Sequence, residues 1–128
     1  MNKGGKWMFG WYVVGAVGEV RIPTAAFSEH GFQAGEPIIY LCGSLRSDGF
    51  SVGRQEKLGG SSTPLLRRSI GHGMIQEDGR ISVPPGTDIQ PGQRILAVRG
   101  SGYAVLFLTG GPIYEEALKH PEIETFKP

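Results

Sequence analysis

Asp78-Gly79-Arg80-Ile81-Ser82-Val83-Pro84 repeats, 61 residues later (Gly18 to Gly79), the pattern of Val17-Gly18-Glu19-Val20-Arg21-Ile22-Pro23. In both stretches a glycine leads, two β-branched residues alternate with polar ones, and a proline closes. Such alternation is the period of a half-buried strand, with Val20 and Ile22, or Ile81 and Val83, on the apolar face. Pro23 and Pro84 end the strands because proline donates no ladder hydrogen bond.

The match continues outward in the same order, and a repeat of this length implies two copies of one structural unit. Ala34 to Ser44 corresponds to Pro91 to Ser101 at an offset of 57 (Gly35 to Gly92), so the second copy has lost residues from the segment answering to Thr24–Phe32. Gly49-Phe50-Ser51-Val52 is matched in turn by Gly102-Tyr103-Ala104-Val105 at an offset of 53 (Gly49 to Gly102). Each copy therefore reads strand, short connector, strand, turn, strand. In copy one Thr24 is placed to cap a short helical turn through Ala25, Ala26 and Phe27 that Gly31 ends. Copy two has the turn-like run Pro84, Pro85, Gly86, Thr87, Asp88 instead. Gly35 and Gly92 follow Ala34 and Pro91 in the manner of type II turns, which call for positive φ. The apolar runs 38–42 and 95–98 are buried strands, joined to their successors through 43–49 and 100–102.

A three-stranded half cannot bury its own apolar face. Two halves closed into a barrel also remove the exposed strand edges. The expected fold is accordingly all-β: a small closed barrel of two βαβ-like repeats, followed by a short C-terminal helix. The barrel spans residues 1–112, with repeat one at about 12–52, a linker at about 53–71 and repeat two at about 72–108. Within the linker Gly59 to Pro64 is a flexible connection, while Leu65 to Arg68 is too short to assign. Pro112 starts a helix over Ile113–His120 that Pro121 stops, and Ile113, Ala117 and Leu118 are its docking residues. Residues 113–128 form this helix and a tail.

Composition agrees with many short strands: 21 glycines and 9 prolines in 128 residues that are still 39% hydrophobic. The single Cys42 excludes an internal disulfide, and the N-terminal apolar stretch, broken by Gly10, Gly15, Gly18 and Glu19, does not read as a signal peptide; a cytoplasmic location is expected. No run approaches the ~18 apolar residues of a spanning helix, so no membrane is expected as a partner. Net charge is +1, which supplies little long-range attraction for nucleic acid. Residues 61–112 carry two excess positive charges and residues 113–128 two excess negative ones.

Gly79-Arg80-Ile81-Ser82-Val83-Pro84, followed by Ile89-Gln90-Pro91-Gly92-Gln93-Arg94-Ile95, resembles the core signature of the AbrB/SpoVT swapped-hairpin family. Copy one is similar through Gly18, Val20, Ile22, Pro23, Gly31, Gly35 and Glu36, and the likeness covers roughly residues 12–52 and 72–107. Members of that family are typically transcription regulators or antitoxins whose paired half-motifs, usually from two chains, present arginines to DNA. The resemblance implies that here one chain supplies both halves. Arg80 matches the arginine after the strand-leading glycine, where copy one has Glu19; the basic pair expected on the short helix falls on Phe27 and Ser28.

On this reading the phosphate-contacting candidates are Arg80, Arg67, Arg68, Arg21, Arg46, Arg54 and Lys57, provided they converge on one face. The expected partner is double-stranded DNA; the alternative is a non-catalytic fused barrel that binds a protein, itself or a small ligand. Neither metal nor cofactor is called for. His30, His72, His120 and Cys42 lack a ligand spacing. Ser69, His72 and Asp78 lack a nucleophile elbow. The Gly59-Gly60-Ser61-Ser62 stretch has no Walker lysine, and Gly71-His72-Gly73 reads as a bend. Trp7, Phe9, Trp11 and Tyr12 are either core residues or a stacking surface for bases.

Overall fold

Val20 and Ile81 face each other at the centre of a short antiparallel ribbon, with Glu19 opposite Ser82 and Arg21 opposite Arg80. Both apolar side chains are buried, as the period-two alternation requires. The structure, a computed structural model, describes residues 8–42, 49–54, 69–84, 87, 89–99 and 104–127. The expected connections at 43–48 and 100–102 and the linker residues 55–68 lie outside them. The elements are β1 (Met8–Val13), β2 (Glu19–Arg21), α1 (Thr24–His30), β3 (Pro37–Cys42), β4 (Gly49–Arg54), β5 (Ser69–Met74), β6 (Arg80–Ser82), β7 (Arg94–Arg99), β8 (Ala104–Leu108), α2 (Pro112–Ala117) and β9 (Thr125–Phe126). The chain is thus mainly β, with a seven-stranded sheet in the order β5-β3-β4-β8-β7-β1-β9 and the two-stranded ribbon β2-β6.

Each repeat is one strand longer than its sequence pattern suggested. β1 begins before the expected start of repeat one, and β5 begins in ground assigned to the linker and runs on into repeat two. Both were hidden by glycines. Gly71 and Gly73 read as a bend, but in β5 they lie opposite Tyr40 and Ile38, and a Cβ on Gly73 would stand 2.7 Å from the Tyr40 ring. Glycine there makes room for a large cross-strand neighbour rather than a turn.

With these strands included, the two halves are related by a local twofold. β1 pairs with β7 and β5 with β3, both antiparallel and both with a register irregularity at the same place, around Phe9 and around Ile70. The loop bonds repeat as well. Gly35 N–H donates to Ile75 O and Gly92 N–H to Val14 O, while Ile22 N–H donates to Gly79 O and Val83 N–H to Gly18 O. Across the centre β4 pairs with β8, Val52 opposite Val105. Because Tyr40 lies opposite Val52 and its equivalent Ala97 opposite Phe107, Val52 answers to Phe107, two residues beyond the match at Val105 expected from sequence.

The main core lies between the sheet and the ribbon: Tyr12, Val14, Ile38, Tyr40, Phe50, Val52, Ile95, Val105 and Phe107 meet Val20, Ile22, Ile75 and Ile81. Phe50 and Phe107, cross-strand neighbours, stack at 5.1 Å. Tyr40 donates its hydroxyl proton to Ser82 O at 2.5 Å, tying sheet to ribbon. The opposite sheet face carries a second cluster of Trp11, Leu96, Val98 and Leu108 beneath Ala117.

Both helices depart from expectation. Pro23, not Thr24, is the N-cap residue of α1, with no side-chain cap bond, and Thr24 is already helical; Gly31 ends the helix at φ 74° as expected. Only left-handed backbone fits there, and a Cβ would also stand 3.0 Å from the Arg54 guanidinium. Pro112 opens α2, but the helix ends at Ala117 rather than His120. Ala117 docks as expected; Ile113 and Leu118 are exposed, and the docking ring is Tyr114, edge-on to Trp11 at 5.2 Å. No helix among the described residues is long and apolar enough to cross a membrane.

Burial pushes the Tyr40 and Tyr12 hydroxyls up to about 12, against about 10 in an unfolded chain. The neutral phenols therefore stabilise the fold fully below about pH 10, and that contribution is lost as pH rises through about 12. Urea titrations at stepped alkaline pH are expected to show the unfolding free energy falling over this interval, and falling less steeply in Tyr40→Phe. An unchanged slope in the variant would remove Tyr40 from the account.

Candidate nucleic-acid interface

Phosphate recognition needs cationic side chains that are both close together and free to change partner, and the candidate arginines differ in this respect. Arg54, at the end of β4, is not free. Its Nε donates to both carboxylate oxygens of Glu36 at 3.0 Å and its Nη2 lies 2.9 Å from Oε2, with both side chains mostly buried. Glu36 belongs to the turn that opens β3, whose Gly35 bonds Ile75. The pair thus fastens β4 to the turn where the two repeats meet. Arg54 could meet a phosphate only by giving up this mostly buried pair.

Arg21 and Arg80 behave differently. They are directly opposite each other on the outer face of the ribbon, a like-charge placement that is unfavourable unless something intervenes. Asp78 intervenes: its Oδ2 accepts from Arg80 Nη1 at 2.6 Å, and its backbone carbonyl accepts from Arg21 Nη1 at 3.3 Å. The Arg80–Asp78 pair is open to solvent. Among the described residues no carboxylate lies within ion-pair distance of Arg21. A shallow cleft of about 230 Å³ beside the pair is lined by Arg21, Thr24, Phe27, Glu77 and Asp78, so acidic and basic groups share it.

The structure therefore brings Arg21 and Arg80 together and separates Arg54 from them. Arg46, Lys57, Arg67 and Arg68 lie outside the described residues. Two arginines not among the candidates are already engaged: Arg99 holds Glu29 on α1 at 2.7 Å and lies over Phe9, and Arg94 lies over Trp11.

Of the stacking aromatics, Trp11 and Tyr12 are core residues, exposed 2% and 4%, and Phe9 packs against the core; Trp7 lies outside the described residues. Their alternation on β1 sends Trp11 to one sheet face and Tyr12 to the other, and both faces are covered. A base-stacking surface is excluded for these two rings. Among the described residues no group of three His, Cys, Asp or Glu residues is arranged to hold a metal. His72 is exposed on β5, and the side chains of His30 and Cys42 lie outside the description. His120 has carboxylates on both ring nitrogens, Glu122 at 2.9 Å and Glu116 at 3.1 Å, and these bonds raise its pKa above the ordinary histidine value.

Comparison of the chain with protein-family models, curated proteins and solved structures finds no match.

The two kinds of arginine are separable by stability. Arg54→Ala leaves Glu36 mostly buried without its partner and is expected to cost about 2–4 kcal/mol. Arg80→Ala, at an exposed pair, is expected to cost under about 1 kcal/mol. Equal losses in denaturant midpoints would contradict this division.

Proposed function

We propose that the chain is a single-chain, two-repeat barrel of the AbrB/SpoVT swapped-hairpin kind, acting as a DNA-binding regulator or antitoxin through phosphate contacts. The exchange of first strands between the repeats and the packing of the ribbon over the sheet support the two-repeat part of this reading. The single observation that carries the DNA reading is the side-by-side placement of Arg21 and Arg80 on the outer face of the ribbon. An exposed ion pair contributes about 0–1 kcal/mol, so a phosphate can displace Asp78 from Arg80 at small expense. Arg54 plays no part, since freeing it means stripping a mostly buried carboxylate. DNA contact then rests on Arg21 and Arg80, together with whichever of Arg46, Lys57, Arg67 and Arg68 join them.

A second reading is favoured by Glu77 and Asp78, which share the cleft with Arg21 and repel a phosphate backbone. In that reading the fused barrel has lost DNA binding and serves as a non-catalytic protein- or ligand-binding module.

The test is fluorescence anisotropy of duplex DNA over a salt series. Two phosphate contacts give a slope of log affinity against log salt near −1.8, each contact adding about 0.9. Arg21→Ala/Arg80→Ala is expected to flatten the slope by about that amount, and Asp78→Asn to strengthen binding. Absence of binding at low salt, even for Asp78→Asn, would favour the second reading.

A further inference from the structure

The two ends of the seven-stranded sheet are built differently although they are equivalents in the repeat. At one end β1 carries β9, in parallel, with Trp11 opposite Thr125 and Tyr12 opposite Phe126. The Trp11 amide donates to Glu124 O at 2.9 Å, and Phe126 stacks on Tyr12 at 4.7 Å. β9 is itself a poor template for a further strand: two residues long, with Pro121, Glu122, Glu124 and Lys127 about it, the short and charged kind of edge that resists edge-to-edge association.

At the other end β5 is six residues long, Ser69-Ile70-Gly71-His72-Gly73-Met74, with no proline and no Lys, Arg, Asp or Glu. Its backbone is set up as that of β1 is. Val14 turns its amide and carbonyl to the β7 side, bonding Gln93 and Gly92, while Ile75 turns its own to the β3 side, bonding Glu36 and Gly35. Antiparallel strands alternate these directions residue by residue. The groups of Trp11 and Val13 therefore point outward toward β9, and those of His72 and Met74 point outward from β5. Among the described residues no strand pairs with that edge. Met74 is 59% exposed and His72 is exposed as well.

We propose that the outer edge of β5 is a self-association edge: two copies of the chain pair β5 with β5, antiparallel about a twofold axis, joining their sheets into one. A second copy is the occupant because the edge is self-complementary. Centred on His72, the pairing sets His72 against His72 and brings Met74 to the stretch about Ile70 of the other copy, so that the outward-facing amide and carbonyl of His72 find partners. It sets no Lys, Arg, Asp or Glu opposite its own kind, and the twofold closes the assembly at a dimer. A strand pair of this length is smaller than a standard interface of roughly 1,200 Å² or more, so the dimer is reversible and follows concentration. The inference is independent of DNA binding, since Arg21 and Arg80 lie on the ribbon and not on this edge.

Sedimentation equilibrium of the full chain over a wide concentration range is expected to show a monomer–dimer equilibrium. His72→Asp, which sets two carboxylates opposite each other at the axis, is expected to weaken it tenfold or more, while His72→Thr, neutral and at home in a strand, retains it. Thermal unfolding of dilute protein checks that both variants fold as the parent does. Hydrogen exchange supplies a second readout: the His72 and Met74 amides gain protection as concentration rises, and the Gly71 and Gly73 amides do not change. A chain monomeric at every concentration, a dimer indifferent to His72→Asp, or a dimer in which the His72 amide gains no protection would each overturn the proposal.

Discussion

Each repeat pairs its first strand with the third strand of the other, and the remaining architecture depends on this exchange. β1 finds its ladder on β7 and β5 on β3, so neither half completes its own sheet. The second and fourth strands then meet across the local twofold, as β2–β6 and β4–β8. Burial follows from these four pairings. The ribbon supplies Val20 and Ile81, the sheet supplies Phe50 and Phe107, and the apolar face that three strands leave exposed is covered by the other repeat. Joining both halves in one chain turns what is otherwise an association into loop closure, whose entropic penalty rises only slowly with loop length.

The repeats have diverged by moving bulk across the exchanged ladders. In one, Tyr12 on β1 supplies the aromatic ring, with Gly10 and Ala97 small beside it. In the other the ring comes from Tyr40 on β3, and β5 supplies Gly71 and Gly73. Both rings end up buried in one core at nearly conserved volume, which is how close-packed interiors tolerate change. The same divergence separates the ends of the sheet. Phe126 covers the Tyr12 ring and brings β9 to β1, while the glycines of β5 leave no such ring to stack upon.

The arginines show a comparable division of labour. Arg54 and Arg99 hold separate elements together, Arg54 joining β4 to the turn before β3 and Arg99 joining β7 to α1. Arg94 spends its charge on the face of Trp11. Arg21 and Arg80 alone among these sit as neighbours on an outer surface, with Asp78 as a local partner of both. Formal net charge carries none of this information, because a charge engaged in a mostly buried pair counts the same as one exposed to solvent.

The sequence by itself determined the repeat, the alternation of Val20 and Ile22 with Ile81 and Val83, the positive φ of Gly35 and Gly92, the αL end of α1 at Gly31, and the proline start of α2. These are local properties: period, turn geometry and capping act over a few residues and leave their mark in residue type. Only the tertiary structure decided that Gly71 and Gly73 belong to a strand, because the reason for them is the Tyr40 ring on a chain segment some thirty residues away. It likewise decided that Trp11 and Tyr12 are core, since covering both faces of β1 needs α2 on one side and the ribbon on the other. Of the candidate site, the convergence of Arg21 with Arg80 was implicit in aligning the two copies, given antiparallel pairing at the repeat centre. The loss of Arg54 to Glu36 was not: their meeting depends on the β3–β4 register, which a sequence pattern of period two leaves open to any even shift.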